Sequence, residues 1–142
     1  MGFVGELGTA LGGLALLQHT LKQEEQAWES LQEALHITVE IHGRVTLFTL
    51  AAALVVMLVD ASSWEQAVEA YAALMTDPIV ANSRWFADMV GERMEIVRKH
   101  LSESVCQAAD ARARRGDLFA VLGRLEQEIK AWGLATIGEP LD

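Results

Sequence analysis

Cysteine and proline are scarce in this chain, and their scarcity limits its architecture. The 142 residues contain one cysteine, Cys106, and two prolines, Pro78 and Pro140. A single cysteine excludes an intrachain disulfide and any metal cluster built from several cysteines, which fits a protein of the reducing cytoplasm. Two prolines leave most of the chain free to form long regular elements.

Basic residues and long apolar runs are also scarce. The chain has 11 basic and 20 acidic residues, which gives a formal net charge of −9. Such a surface repels phosphate backbones, so direct contact with nucleic acid is not expected. The simplest interpretation of the charge is a solvated surface, and the alternative is attraction to a basic partner.

Neither a membrane span nor a signal peptide is predicted. The longest apolar run, residues 47–59, includes Thr49 and is too short to span a bilayer core of ~30 Å. The first residues lack the basic region of a signal peptide. We therefore expect a cytoplasmic protein with no membrane partner.

The residues that are abundant favour helix. Hydrophobic residues make up 51% of the chain, and alanine, leucine, glutamate, glutamine and arginine are frequent. Residues 37–41 alternate like a short strand, but they continue a helical segment that stops at Gly43, a predicted C′ glycine. These features predict an all-α fold.

Two stretches of the chain, 40 residues apart, resemble each other. Residues 24–35 read EEQAWESLQEAL and residues 64–75 read WEQAVEAYAALM. Aligned, they pair Ala27 with Ala67, Leu31 with Tyr71 and Ala34 with Leu74. Self-similarity at this period is typical of helical-repeat proteins, which bind more often than they catalyse.

The pattern of apolar residues predicts seven helices in one domain, residues 1–137. They cover residues 4–19, 23–42, 45–60, 64–77, 84–100, 103–115 and 117–134, in three antiparallel pairs and a final helix. The units are 4–43, 44–81, 82–116 and a cap helix 117–134, followed by a flexible tail, 138–142. Capping is expected from Ser62 with Glu65 or Ser63 with Gln66, from Asn82 or Ser83, and from Ser102.

Each helix has a predicted inner face. The first carries an apolar stripe of leucines, beside small residues that suit close approach of another backbone: Leu7, Leu11, Leu14, Leu17, with Gly8, Gly12, Gly13 and Ala15. The third is apolar nearly all round and must be covered on several sides. Inward residues of the last helices are Trp85, Phe86, Met89, Val90, Met94 and Val97, then Leu118, Leu122, Leu125, Ile129 and Trp132.

The spacing within each unit resembles the tetratricopeptide repeat. Ala27 and Ala67 match the first small position of that family, Leu31 and Tyr71 its large position, and Ala34 the second small position, from which Leu74 departs. Pro78 lies near the family's terminal proline. The period near 40 is longer than the family's ~34 and is more similar to the MalT type. The resemblance implies a right-handed superhelical stack of antiparallel helix pairs, an α-solenoid with a C-terminal capping helix.

A second resemblance concerns the end of the chain. Residues 77–88, DPIVANSRWFAD, with the helix at 103–115 and the DLF sequence at 117–119, resemble the C-terminal arrays of bacterial STAND-type signalling ATPases and MalT-like transcription activators. The resemblance implies a module that senses a ligand, a protein or peptide partner, or a switch domain of the same polypeptide. The chain itself contains no Walker-type glycine loop.

The resemblance also implies a binding surface. The first helix of each pair would line a concave groove, with these residues: Thr9, Gly12, Leu16, His19, Thr20, Thr49, Ala52, Val56, Val59, Asp60, Arg84, Asp88 and Glu92. The alternative is that the apolar members are core. Packing between the helices of a repeat is assigned to Ala27, Leu31, Ala34, Ala67, Tyr71 and Leu74.

No catalytic or metal-binding pattern is found in the sequence. His36 and Glu40 lie one turn apart, but a zinc site needs three or four ligands. Cys106 on a helix is interpreted as a small core residue. The basic residues Arg112, Arg114 and Arg115 lie at a helix C-terminus, where the dipole favours cations; the alternative is a docking patch for acidic groups. We expect no enzyme, no cofactor and no metal.

Three functional hypotheses remain from the sequence. The first is a non-catalytic helical-repeat interaction or sensor module. The alternative is a self-associating helical bundle whose apolar groove is a homo-oligomer interface. The third is a small-molecule pocket between helix pairs.

Overall fold

The chain folds into helices throughout the part that the structure describes. The computed structural model describes residues 2–138, with side chains from 3 to 132. The helices are α1 (Gly2–Thr20), α2 (Glu24–Ile41), α3 (Leu47–Asp60), α4 (Trp64–Leu74), α5 (Pro78–Ala81), α6 (Arg84–His100), α7 (Glu103–Arg115) and α8 (Leu118–Gly138). The all-α prediction is confirmed for these residues, and residues 37–41 belong to α2. Residues 139–142 of the predicted tail lie outside the described residues.

Helix α5 is a single turn that the sequence predicted as a connection. Asp77 caps α5, since its carboxylate accepts a hydrogen bond from the backbone N–H of Ile79 at 2.8 Å. Pro78 occupies the first helical turn, where it needs no N–H partner. Arg44 donates to the other oxygen of Asp77 at 2.8 Å, so the turn is fixed to the segment before α3.

Helix α3 is the centre of the molecule. Ten of its side chains, Leu47 and all of residues 50–58, are buried. Helices α1, α2, α4, α5 and α6 all pack against it. A helix that is apolar all round needs cover on every side, and the prediction that α3 is covered on several sides is confirmed.

Two turns that are 40 residues apart have the same backbone conformation. Lys22 and Ser62 follow α1 and α3, and both adopt a left-handed conformation, with φ of 65° and 62°. Each donates its N–H to the carbonyl three residues earlier, at 3.1 and 3.0 Å. The next residues, Gln23 and Ser63, donate to the carbonyl five residues earlier, at 2.8 and 2.9 Å. The two units therefore have the same turn conformation in addition to similar sequences.

The details of helix termination differ from the sequence prediction at two places. Ser63 precedes α4 but its hydroxyl makes no capping hydrogen bond, so the predicted capping box is not formed. After α2, His42 takes the left-handed conformation with φ of 50°, and Gly43 does not. The His42 ring packs on Phe119, with centroids 4.6 Å apart. Caps by Ser83 and Ser102 are confirmed.

Helix α1 packs on α2 and α3 through its small residues. A Cβ at Gly12 would lie 2.5 Å from Thr49 Oγ1 and 2.9 Å from the backbone N of Leu50. The Thr49 hydroxyl donates to the carbonyl of Thr9 at 2.8 Å. The predicted close approach of a second backbone is therefore present at Gly12.

The leucine stripe of α1 does not face the core, contrary to the prediction. Leu7, Leu14 and Leu17 are exposed by 41–54% and only Leu11 packs against the core. The reason is steric, since the glycine face lets α1 lie closer to α3 than a leucine face would. Gly13 lies outside this contact, since a Cβ there would meet nothing within 4 Å.

The last three helices pack on helices of both predicted repeat units. Helices α1 and α2, and α3 and α4, pack as the predicted pairs, whereas α6 packs on α3 and α4, and α7 on α4. Helix α8 packs on α2 and α4, whereas each repeat of a solenoid contacts only its neighbours. The superhelical stacking therefore stays a prediction.

The third pair is linked mainly by side chains. Arg98 of α6 donates to Asp110 of α7 at 3.1 Å. This hydrogen bond raises the pKa of Arg98 above its usual value. In α8, the predicted inner residues Leu118, Leu122, Leu125 and Ile129 are buried, and Trp132 is partly buried against the core. Cys106 of α7 is also buried, as predicted.

Gly12→Ala is expected to lower the free energy of unfolding by about 1–3 kcal/mol, because its Cβ would meet backbone atoms that cannot rotate away. The matched control is Gly91→Ala in α6, where a Cβ meets nothing within 4 Å. That variant is expected to gain up to about 1 kcal/mol from helix propensity. Urea unfolding followed by circular dichroism measures both, and equal effects would contradict the close contact.

Candidate functional site

The predicted groove residues lie on a row of three helices, α1, α3 and α6, with α3 in the middle. Their exposure falls into three classes. Gly12, Ala52 and Val56 are buried; Thr9, Leu16, His19, Thr49 and Val59 are partly buried; Thr20, Asp60, Arg84, Asp88 and Glu92 are exposed. The buried members cannot line an open groove, so for them the core interpretation is correct. Of the predicted packing residues, Tyr71 is partly buried and the other five are buried.

One end of this row carries a polar cluster. His19 Nε2 lies 2.7 Å from Asp60 Oδ2, and His19 Nδ1 lies 2.8 Å from Glu24 Oε1. Arg93 of α6 approaches the other oxygen of Asp60 at 3.7 Å. The structure thus brings together two predicted residues, His19 and Asp60, and two that sequence reasoning missed. Both imidazole nitrogens lie close to carboxylates, so the cluster links α1, α2, α3 and α6. Nε2 is hydrogen-bonded to Asp60, whereas the buried Nδ1 has no hydrogen-bond partner.

Two buried carboxylates attach the outer helices. Glu69 of α4 is 2% exposed; it accepts from Arg112 Nε at 3.0 Å and from Arg124 of α8. Glu126 of α8 is 3% exposed and faces His36 Nδ1 at 3.0 Å and Lys130 Nζ at 3.2 Å. Buried carboxylates are stable only when paired in this way.

These pairs revise two interpretations of the sequence. His36 faces Glu126 at 3.0 Å, a partner on the last helix that its spacing from Glu40 could not indicate. Arg112 binds the acidic group of this same chain, Glu69, as well as lying in the last turn of α7. Within the described residues, no three histidine, cysteine, aspartate or glutamate side chains are placed to hold a metal ion.

A cavity of about 410 Å³ lies between α7 and α8. Arg112, Arg115 and Arg124 line it together with Gly116, Ala120 and Val121. Two of the three guanidinium groups are bound to Glu69, which neutralises much of their charge. This cavity bears on the hypothesis of a small-molecule pocket between helix pairs.

The outward face of α1 carries a row of exposed apolar side chains. Phe3 is 89% exposed, and three leucines of the same face together with Leu21, the residue directly after α1, are each 41–57% exposed. With the exposed Ala10 they form what we call the α1 seam: Phe3, Leu7, Ala10, Leu14, Leu17 and Leu21. The steps between them alternate four and three residues, the heptad spacing of helices that pack on another helix. Contiguous exposed apolar residues mark interaction sites.

Contacts of the other sides of α1 with α2 and α3 fix its orientation, so that the seam faces outward. Gly12 lies against α3, and Gln18 accepts a hydrogen bond from Ser30 of α2 at 2.7 Å. Glu6 is the only acidic residue of α1, which contains no lysine or arginine. The seam is therefore an uncharged apolar strip on the free side of a helix that the rest of the fold keeps in place.

A second, smaller apolar patch lies where α3 and α6 begin. Trp85 is 39% exposed, contrary to the prediction that it points inward. Its ring stacks on Phe48, with centroids 5.7 Å apart. The two rings cover part of each other, so this patch offers less open surface than the α1 seam.

Comparison of the chain with known protein families, curated proteins and solved structures found no match. Among the described residues, no helix combines the length and the hydrophobicity needed to cross a membrane.

Glu69→Gln is expected to lower the free energy of unfolding by about 1–3 kcal/mol, because it removes a buried carboxylate that accepts hydrogen bonds from two arginines. The control is Glu65→Gln, whose carboxylate is half exposed and 3.9 Å from Arg112; it should change stability by less than about 0.5 kcal/mol. Urea unfolding compares the two. Similar losses would mean that the Glu69 pairs do not hold α7 and α8 in place.

Proposed function

We propose that this chain is a non-catalytic protein-interaction module that binds an amphipathic helix along the α1 seam. The observation that carries the proposal is the exposed row from Phe3 to Leu21 at heptad spacing. Helices recognise one another through such rows, because apolar side chains from both helices interdigitate and leave water. An uncharged strip suits a partner that is recognised by shape and apolar contact.

The polar clusters support a structural role for the remaining surface. His19, Glu69 and Glu126 each have partners within the chain, and each joins helices that are distant in sequence. Their geometry is accounted for by the fold without a substrate. The proposal therefore places binding on α1 and assigns these groups to holding the scaffold rigid behind it.

We also propose that the helices are stacked as a tetratricopeptide-like superhelix. The shared turn after α1 and α3, at a 40-residue spacing, supports an origin in tetratricopeptide-like repeats stacked as a right-handed superhelix that α8 closes. We further propose that the module is the sensing end of a bacterial, cytoplasmic STAND-type signalling protein. The gene tests this part: a Walker-type loop in the same reading frame supports it, and a complete frame without one contradicts it.

The docking surface is tested with a fluorescent synthetic peptide of leucine heptads. Fluorescence anisotropy should show binding to the chain, and Leu14→Glu with Leu17→Glu should raise Kd at least about tenfold, because a carboxylate is then desolvated against leucines. Ile96→Glu on α6 is the control, since Ile96 is 49% exposed and far along the chain from the seam. Equal Kd values for the seam variant and the control would contradict the site.

A further inference from the structure

We propose that the helix that occupies the α1 seam is α1 of a second copy of this chain, packed antiparallel about a two-fold axis. This inference rests on the proposed function, because both require the seam to be a docking surface. It adds the identity of the partner and the orientation of its helix.

The spacing of the seam residues is symmetric. Its six positions mirror one another about residue 12, so an antiparallel copy places Phe3 opposite Leu21 and Leu7 opposite Leu17. At the centre, Ala10 lies opposite Leu14. A small residue facing a large one is the arrangement that lets two packed layers interdigitate without a void. A two-fold interface needs a surface that complements itself, and the seam does so in this direction.

The parallel arrangement fits less well. It would place Ala10 against Ala10 and leave a gap in the middle of the seam. It would also bring the two Glu6 carboxylates to the same level and align the two helix dipoles. In the antiparallel arrangement the two Glu6 residues are separated by roughly 20 Å along the axis, well beyond the screening length of ~8 Å at physiological salt.

Gly13 is the second observation that points to this partner. It lies beside the seam, next to its centre, and a Cβ there would meet nothing within 4 Å. Glycine within an exposed helix costs about 1 kcal/mol relative to alanine, and the fold of one copy gives no steric reason for it. In the antiparallel pair the two Gly13 residues face each other near the two-fold axis, where the backbones come closest and a side chain would keep them apart.

The exposed area is adequate for a weak to moderate dimer. Phe3 and the four leucines together expose on the order of 600 Å² per copy. Two copies would then bury roughly 1,200 Å², the lower end of the range for stable protein interfaces. An association that depends on protein concentration is therefore expected.

The test is the molar mass in solution, measured by light scattering across a dilution series of the full chain. The wild-type mass should rise from one chain toward two as concentration increases. Leu14→Glu with Leu17→Glu should stay monomeric with an unchanged helical spectrum, and Ile96→Glu should dimerise like the wild type. A wild-type protein that is monomeric throughout, or a seam variant that still dimerises, would overturn the inference.

The orientation is tested by disulfide trapping in a Cys106→Ala background. A mixture of Leu7→Cys chains and Leu17→Cys chains should give a mixed cross-linked dimer under mild oxidation, because the antiparallel pair places these two positions opposite each other. Glu6→Cys should not cross-link, because the antiparallel pair keeps the two Glu6 positions apart. Efficient cross-linking of Glu6→Cys would overturn the antiparallel arrangement.

The peptide experiment separates this inference from the proposed function. A monomeric chain that binds the leucine-heptad peptide through the seam refutes the second copy and leaves the helix-binding function standing. A monomeric chain that binds no peptide refutes both.

Discussion

The burial of α3 is the constraint on which the rest of the structure depends. A 14-residue helix with ten buried side chains needs apolar cover on every side, and five other helices supply it. Helices α7 and α8 pack mainly on the next layer, on α4 and α2. There the buried carboxylates of Glu69 and Glu126 and the apolar stripe of α8 join them to α4 and α2.

The same constraint explains why an apolar surface is left open. Helix α1 is apolar on two faces, one made of glycine and alanine and the other of leucine and phenylalanine. Only the small face fits against α3, because Thr49 and the Leu50 backbone lie where a larger side chain would be. Once that face is used, the large residues lie on the outside, where only another molecule or another part of the polypeptide can cover them.

Much of the fold could be predicted from the sequence, because its helices are marked by local signals. Ser83 and Ser102 mark helix starts, and the uniformly apolar residues 50–58 mark the central helix. The orientation of α1 could not be predicted, since hydrophobicity does not separate its two apolar faces and only steric fit against α3 does. The burial of Glu69 could not be predicted, because Glu69 lies one helical turn after Glu65 and such spacing is typical of acidic residues on a solvent-exposed helix face. The left-handed Lys22, His42 and Ser62 were missed because such a conformation is usual only for glycine.

The central claim is that α1 turns its small face inward and its large face outward. Thiol labelling in a Cys106→Ala background measures this directly, with Ala15→Cys on the buried face and Leu17→Cys on the seam. In dilute native protein, the account predicts that the thiol at position 17 reacts nearly as fast as in the unfolded chain, and that the thiol at position 15 is strongly protected. A protected position 17 with a reactive position 15 would contradict it.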